Sequence, residues 1–325
     1  MRAATRIGVV GGGAYGTALA NAAAAAGRDV VLWMRDGEAA VRIDATRENA
    51  ERLPGVRIRD GVRVTADPAS LAGADAVLVC VPTQALAPAL AGLAPGLPAG
   101  VPLVACAKGI ERGTGRFPTE ILRALCPLNP AAILSGPSFA ADLAAGLPTA
   151  VVLAAESGAA RLAEALSGPT FRVYHGRDVR SVEIGGAAKN VLAIAVGIVD
   201  GCGFGESAKA ALTARGFAEL LRFAVAHGGR AETLMGLSGL GDVVLSCGSA
   251  RSRNFALGHR IGSGHEPDGP GPLAEGAFTA EALVTLARRA GVEMPVAEAV
   301  AAVLGRRLTV AEVATALMTR PLRAE

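Results

Sequence analysis

An α/β class, with a doubly wound sheet domain followed by an all-α C-terminal domain, is what this sequence predicts. Three observations carry that expectation. Short apolar strands alternate with helical stretches up to about residue 177, a glycine-rich turn joins the first strand to the first helix, and strand signals stop beyond that point. The boundary is placed between a sheet domain at 1–178 and a helical domain at 179–325.

The first strand is Arg6 to Val10, followed by Gly11-Gly12-Gly13-Ala14-Tyr15-Gly16, an alanine-rich helix to Ala26 and a second strand, Asp29 to Met34. This is a βαβ unit of Rossmann-like type. Gly11, Gly13 and Gly16 fit G-x-G-x-x-G, which permits a tight turn, lets backbone N–H groups approach a pyrophosphate and packs the helix on the sheet. In a chain with 42 glycines such a spacing means little alone. Its place between a strand and a helix is what makes it a dinucleotide signal.

After the second strand stand Arg35 and Asp36. A guanidinium there suits the 2′-phosphate of NADP, and a carboxylate suits the 2′-hydroxyl of NAD. NADP or NAD is therefore the expected cofactor, with NADPH favoured. Further strands are expected at Val62 to Thr65, Asp75 to Val81, Val101 to Ala105 and Ala131 to Leu134, and Thr149 to Ala154 and Thr170 to Tyr174 extend the sheet. Ligands of such sheets lie beyond the carboxyl ends of the strands, which singles out Pro82-Thr83-Gln84, Lys108-Gly109 and Ser135-Gly136-Pro137-Ser138. Lys108 can reach a phosphate or a carbonyl oxygen, or is an exposed loop lysine. Pro137 is expected in the first turn of a helix through Ala140 to Ala145, where the polar residues serve either a ligand or the cap.

Beyond Val179 the pattern is helical, with Ile184 to Val199 and then Ser207 to His227, whose apolar stripe runs Ala211, Ala214, Phe217, Ala218, Leu221 and Val225. In the first of these helices Lys189 and Asn190 are the only polar side chains. Burying an ammonium costs several kcal/mol unless an anion or acceptor meets it. Lys189 thus marks a site, an ion pair or a snorkelling amine. Gly185 and Gly186, one turn earlier, are expected to leave room beside it. Polar clusters follow at Gly239-Leu240-Gly241-Asp242 and Ser252-Arg253-Asn254. Asp242 either caps a helix over Val243 to Cys247 or orients an ammonium, and Arg253 with Asn254 forms a donor set suited to phosphate and hydroxyl groups. The segment from His265 to Pro272 reads as an exposed linker.

Composition narrows the function. At 325 residues and 51% hydrophobic the chain supports sizeable cores, so a fibrous or disordered protein is excluded. Much of that content is alanine, which points to helices packed closely through small side chains. A net charge of +3 without a basic block, and only 3% aromatic residues, argue against nucleic-acid binding. Cys80, Cys106, Cys126, Cys202 and Cys247 form no C-x-x-C pair and read as reduced thiols, and the four histidines lack metal-ligand spacing, so no metal is expected. No leader is evident, and no apolar run approaches the ~20 residues of a membrane span. A cytoplasmic protein is expected.

These blocks together resemble the bacterial-type NAD(P)-dependent glycerol-3-phosphate dehydrogenases. The resemblance rests on Gly11 to Ala20, Lys108-Gly109, Ser135 to Ala140, Gly185 to Asn190, Gly239 to Asp242, Ser252 to Asn254 and Glu275-Gly276, in that order and over nearly the whole chain. It implies hydride exchange between NAD(P)H and dihydroxyacetone phosphate, giving glycerol 3-phosphate for phospholipid synthesis. Lys189 matches the family's general acid/base. Lys108, Gly136, Ser138, Lys189, Asp242, Ser252, Arg253 and Asn254 match substrate positions, and Ala14, Tyr15, Arg35, Lys108, Ala140, Arg253, Leu273 and Glu275 match cofactor positions. Ala14 stands where serine is common, which removes a hydroxyl but keeps the amide. The His265 to Pro272 segment departs from the pattern next to Leu273 and Glu275. A homodimer is expected through the helical domain. Two other readings are a β-hydroxy-acid dehydrogenase, against which the supply of cations for a phosphate monoester argues, and a non-catalytic NADPH sensor, which needs the glycine fingerprint but not the distant Lys189, Asp242 and Arg253 set.

Overall fold

A computed structural model describes residues 5–267 and 274–319 of the chain. It divides into two compact units, Met1–Lys108 with Arg116–Glu183, and Gly109–Gly115 with Ile184–Glu325.

The first unit is built on eight strands: β1 Arg6–Val10, β2 Asp29–Trp33, β3 Val62–Thr65, β4 Ala76–Val79, β5 Leu103–Ala105, β6 Ala131–Ser135, β7 Thr149–Ala155 and β8 Phe171–Gly176. Their order is β3-β2-β1-β4-β5-β6-β7-β8, parallel from β3 through β6, with β7 antiparallel to β6 and β8 parallel to β7. Every residue of β4 is buried, as its unbroken apolar run requires in a parallel sheet covered on both faces. The helices of this unit are α1 Ala14–Ala25, α2 Gly37–Thr46, α3 Thr83–Leu93, α4 Pro118–Leu125, α5 Ala140–Ala144 and α6 Ala159–Leu166. Chain order reverses between β1 and β4, so the crevice at their carboxyl ends is the switch point where doubly wound sheets bind ligands.

Helix α7, Val179–Gly201, runs from the first unit into the second, which continues with α8 Glu206–Ala226, α9 Ala231–Leu234, α10 Asp242–Cys247, α11 Arg253–Gly262, α12 Glu275–Arg289, α13 Pro295–Leu304 and α14 Val310–Met318. The segment Gly109–Gly115 belongs with these helices: Ile110 N–H donates to Thr279 Oγ1 at 3.3 Å, and the Arg112 guanidinium lies 4.6 Å from the Phe278 ring centre.

Helix α7 is 23 residues long and its most apolar window has a mean hydropathy of 1.6, enough by length and composition to cross a membrane, but 89% of that window is buried inside the protein, as a core helix is. The helix exceeds the apolar run in the sequence because polar residues near its ends continue it. One expectation needs correction: the buried face of α8 is Gly216, Phe217, Glu219, Leu220, Phe223 and Ala224, whereas Ala211, Ala214 and Val225 of the expected stripe are exposed. Alanine on every face blurs the amphipathic signal. Moreover, buried Glu219 accepts the Val296 N–H at 2.9 Å and caps α13, so a carboxylate sits on the apolar side.

Small residues do set the helix packing. Gly197 and Gly201 on α7 face Gly258 and Gly262 on α11, and a Cβ at Gly197 or Gly258 would overlap the Phe255 or Ile194 carbonyl oxygen of the opposite helix. These helices touch backbone to backbone.

Candidate active site

In the first unit, β1 ends in the glycine turn. Gly11 has φ +115° and donates its N–H to the Trp33 carbonyl at 2.8 Å; a Cβ on it would meet the Cys80 backbone at 3.0 Å. A Cβ on Gly16 would overlap the Gly11 carbonyl oxygen. Both glycines are therefore demanded by the fold. Gly13 is different: it precedes α1 and has open space where a side chain would go. The first-turn N–H groups of α1, from Ala14 onward, lack intrahelical acceptors, and this combination fits a pyrophosphate. Asn49, buried behind the turn, donates to the Gly12 carbonyl and to Thr17 Oγ1, both at 2.9 Å. Nothing near Asn49 in the sequence signals that role, because its partners lie more than thirty residues away.

At the end of β2, Arg35 is exposed and pairs with no described residue. Asp36 caps α2, its carboxylate accepting the Ala39 N–H at 3.0 Å. Beyond β5 and β6, four residues singled out in sequence come together. Lys108 Nζ donates to the Gly136 carbonyl at 2.8 Å, Ser138 Oγ donates to the same carbonyl at 3.1 Å, and Tyr15 Oη lies 2.9 Å from Ser138 Oγ. Gly136 has φ +145°, and a Cβ there would press on Val151 Cα at 2.9 Å. Pro137 does not enter the helix as expected, because α5 starts only at Ala140, after Phe139. The chain bends at Gly136 and Pro137, and Ser138 turns back to the Gly136 carbonyl instead of capping a helix.

In the second unit, Lys189 is 7% exposed. Its Nζ donates to Asp242 Oδ1 at 2.8 Å and to Ser246 Oγ at 2.6 Å, while Asp242 and Ser246 are each 1% exposed. The carboxylate offsets the hydration that the ammonium loses on burial. Asp242 is the first residue of α10 and is not its cap, so of its two readings the structure takes the one in which it orients an ammonium. Ser246, not singled out in sequence, lies one helical turn after Asp242 and donates to its Oδ1 at 3.3 Å; that i, i+4 spacing was the available signal. A π-helical turn, Leu237–Gly241, leads into α10 and aims Asp242 at the amine.

Gly185 does not leave ligand space, contrary to expectation. A Cβ there would overlap the Ser238 carbonyl, so the glycine admits the backbone of the π turn. The neighbouring Cys247 thiol is pushed up to about 12 by burial, with Lys189 opposing that rise and Asp242 adding to it.

Asn190 Nδ2 donates to the Gly186 carbonyl at 3.3 Å, Asn254 Nδ2 donates to Asn190 Oδ1 at 2.8 Å, and Asn254 Oδ1 accepts the Gly276 N–H at 2.9 Å. Asn254 thereby ties α7, α11 and α12 together. Ser252 is buried and caps α11 by accepting the Phe255 N–H at 3.3 Å. Arg253 beside it is exposed and pairs with no described residue, while Glu275 opens α12 half-buried. Leu273 and most of the His265 to Pro272 segment lie outside the described residues. Among the described residues no group of three His, Cys, Asp or Glu is placed to hold a metal ion.

Two family models together match most of the chain: the NAD-dependent glycerol-3-phosphate dehydrogenase N-terminus over residues 6–161 and its C-terminus over residues 178–315. The chain belongs to the NAD-dependent glycerol-3-phosphate dehydrogenase family. Relatives named glycerol-3-phosphate dehydrogenase (NAD(P)+) include one from Methylobacterium radiotolerans, 57% identical over 100% of this chain and 99% of its own length. Another, from Azorhizobium caulinodans, is 58% identical over 100% of both chains. The crystal structure of glycerol-3-phosphate dehydrogenase from Coxiella burnetii matches with a TM-score of 0.92 at 35% identity, covering 98% of this chain and 99% of that one. As a glycerol-3-phosphate dehydrogenase family member, the protein is an oxidoreductase that uses NAD(P) and acts on a small molecule.

Proposed function

We propose that this dehydrogenase interconverts dihydroxyacetone phosphate and sn-glycerol 3-phosphate with Lys189 as general acid/base, and that it prefers NADPH. The observation that carries the acid/base role is the buried amine itself, held on two acceptors, Asp242 and Ser246. The first unit is the cofactor domain and the second the substrate and catalytic domain. When bound, the nicotinamide supplies or accepts the hydride.

The α1 N-terminus and Gly13 hold the pyrophosphate, with Ala14, Tyr15 and Ala140 along the cofactor, and Arg35 takes the 2′-phosphate because Asp36 is engaged as a cap. In the reductive direction Lys189 Nζ gives a proton to the carbonyl oxygen as the alkoxide develops, and in the oxidative direction it takes that proton back. Asp242 and Ser246 fix the amine and compensate its charge. Lys108, braced on the Gly136 carbonyl beside Ser138, polarises the substrate oxygen. Arg253 offers its guanidinium to the phosphate, and Asn254 and the Ser252 cap set the position from which it reaches. Leu273 and Glu275 complete the cofactor contacts. The physiological setting is a cytoplasmic homodimer formed through the helical unit, supplying glycerol 3-phosphate for phospholipids.

The test is cofactor oxidation on addition of dihydroxyacetone phosphate, with NADPH and NADH in turn. Lys189→Ala lowers kcat by about 10³-fold, within the usual range for a lost general acid, while NADPH affinity stays within about twofold. Turnover near the wild-type rate in a folded Lys189→Ala protein would end the acid/base assignment.

A further inference from the structure

We propose that Glu183 is a positioning residue for the reaction: its buried carboxylate clasps the start of α7 to the N-terminus of α4 and so sets where the helix carries Lys189. The inference rests on the Lys189 reading above and extends it to a residue two turns upstream.

Glu183 is 3% exposed, and its Oε1 accepts the Thr119 N–H at 2.7 Å. Thr119 is the second residue of α4, where a helix has no acceptor of its own for that N–H. One turn earlier on α7, Arg180 completes the clasp. It donates to Glu120 Oε1 at 2.6 Å, lies 3.9 Å from Glu183 Oε2 and stacks 4.5 Å from the Phe117 ring centre. The Phe117 N–H in turn donates to Glu120 Oε2 at 2.8 Å.

An orphan N–H at a helix start is commonly met by a surface serine or aspartate. Burying a carboxylate for that purpose is costly by comparison. What it adds is a fixed link between α4 and a 23-residue helix without proline, along which Lys189 follows Glu183 by about 9 Å of helical rise. A shift of α7 at Glu183 is passed to the amine, and misplacement of a reacting group by ~1 Å costs up to about 10²-fold in rate.

Burial pushes the Glu183 carboxyl up to about 7, with the Thr119 N–H and Arg180 opposing the rise and Glu120 adding to it. These are the charged and hydrogen-bonding groups that α4 and α7 present to it. The carboxylate clasp is then complete at pH 8 and largely protonated at pH 6. Glutamine keeps the shape and an acceptor oxygen but has no charge, so it imitates the protonated form at every pH.

The experiment measures kcat of wild type, Glu183→Gln and Arg180→Gln across pH 6 to 8 at saturating NADPH and dihydroxyacetone phosphate, with Tm and NADPH affinity alongside. We expect the ratio of wild-type to Glu183→Gln kcat to be about tenfold at pH 8 and to shrink to within about twofold at pH 6, with Tm and NADPH affinity little changed. Arg180→Gln should move the pH at which the ratio shrinks upward, because the carboxylate loses its nearest cation. A ratio near one throughout, a ratio that does not vary with pH, or a loss of kcat that merely tracks a fall in Tm would overturn the proposal. A failed Lys189 reading would show in Lys189→Ala, not in this ratio.

Discussion

In the glycine turn every demanding residue lies between Gly11 and Gly16, and the demands are steric: a positive φ, a carbonyl with no room for a methyl, an open face before α1. In the lysine cluster the partners are 53 and 57 residues away from Lys189, and the demands are electrostatic. The turn can be recognised from spacing because its geometry is local. Lys189 can be recognised only as a charge out of place, since nothing near it names its counterion.

The comparison also separates stability from function, and variants can break it. The largest effect is expected at the ion pair. Asp242→Leu takes from the buried ammonium the carboxylate that compensates its charge and costs about 3–5 kcal/mol of stability, whereas Lys189→Met with Asp242→Leu recovers most of that loss by replacing the pair with apolar groups. Denaturant unfolding reads the recovery, and the double variant stays inactive in the cofactor assay. If it does not regain stability, the pair is more than a functional device.

Next come the glycines. Gly16→Ala forces the turn apart, lowering Tm and weakening NADPH binding by about tenfold or more, because the methyl meets the Gly11 carbonyl. Gly13→Ala has open space around its methyl, so Tm should stay unchanged while NADPH affinity falls, by about tenfold, through loss of the pyrophosphate's approach. Equal losses of Tm in both would show that the turn does not divide its glycines between fold and ligand.

A smaller effect is expected at Arg35. Arg35→Ala should raise KM for NADPH about tenfold and leave that for NADH within about twofold, since only the former carries the 2′-phosphate. Least dramatic is thiol chemistry. With the Cys247 thiol pushed up to about 12 by burial, and Cys80 raised chiefly by its hydrogen bond with Cys106, neither forms much thiolate at pH 7. A thiol reagent should therefore react slowly with the native protein and quickly once urea exposes these groups; rapid native labelling of Cys247 would mean that the lysine cluster opens.

Much of the fold was legible because its signals are short-range. All eight strands were anticipated to within three residues at their ends, since each is a brief apolar run between turn residues. The faces of the helices were less legible. Ala211 and Val225 look like core residues in an alanine-rich helix, yet they are exposed, and Glu219 is inside because it caps a helix 77 residues further on. Asn49 was missed for the same reason, and the one local sign of Ser246 was its i, i+4 spacing from Asp242.

From the chain alone come the doubly wound sheet, the dinucleotide turn and the presence of an amine out of place in an apolar helix, because backbone sterics and periodic burial act over a few residues. The tertiary structure alone decided which anion that is, why Gly185 is glycine and what holds the first turns of α7. Those outcomes depend on buried charges and close backbone contacts between segments far apart in sequence, and such pairings have no local cost or pattern by which a sequence could announce them.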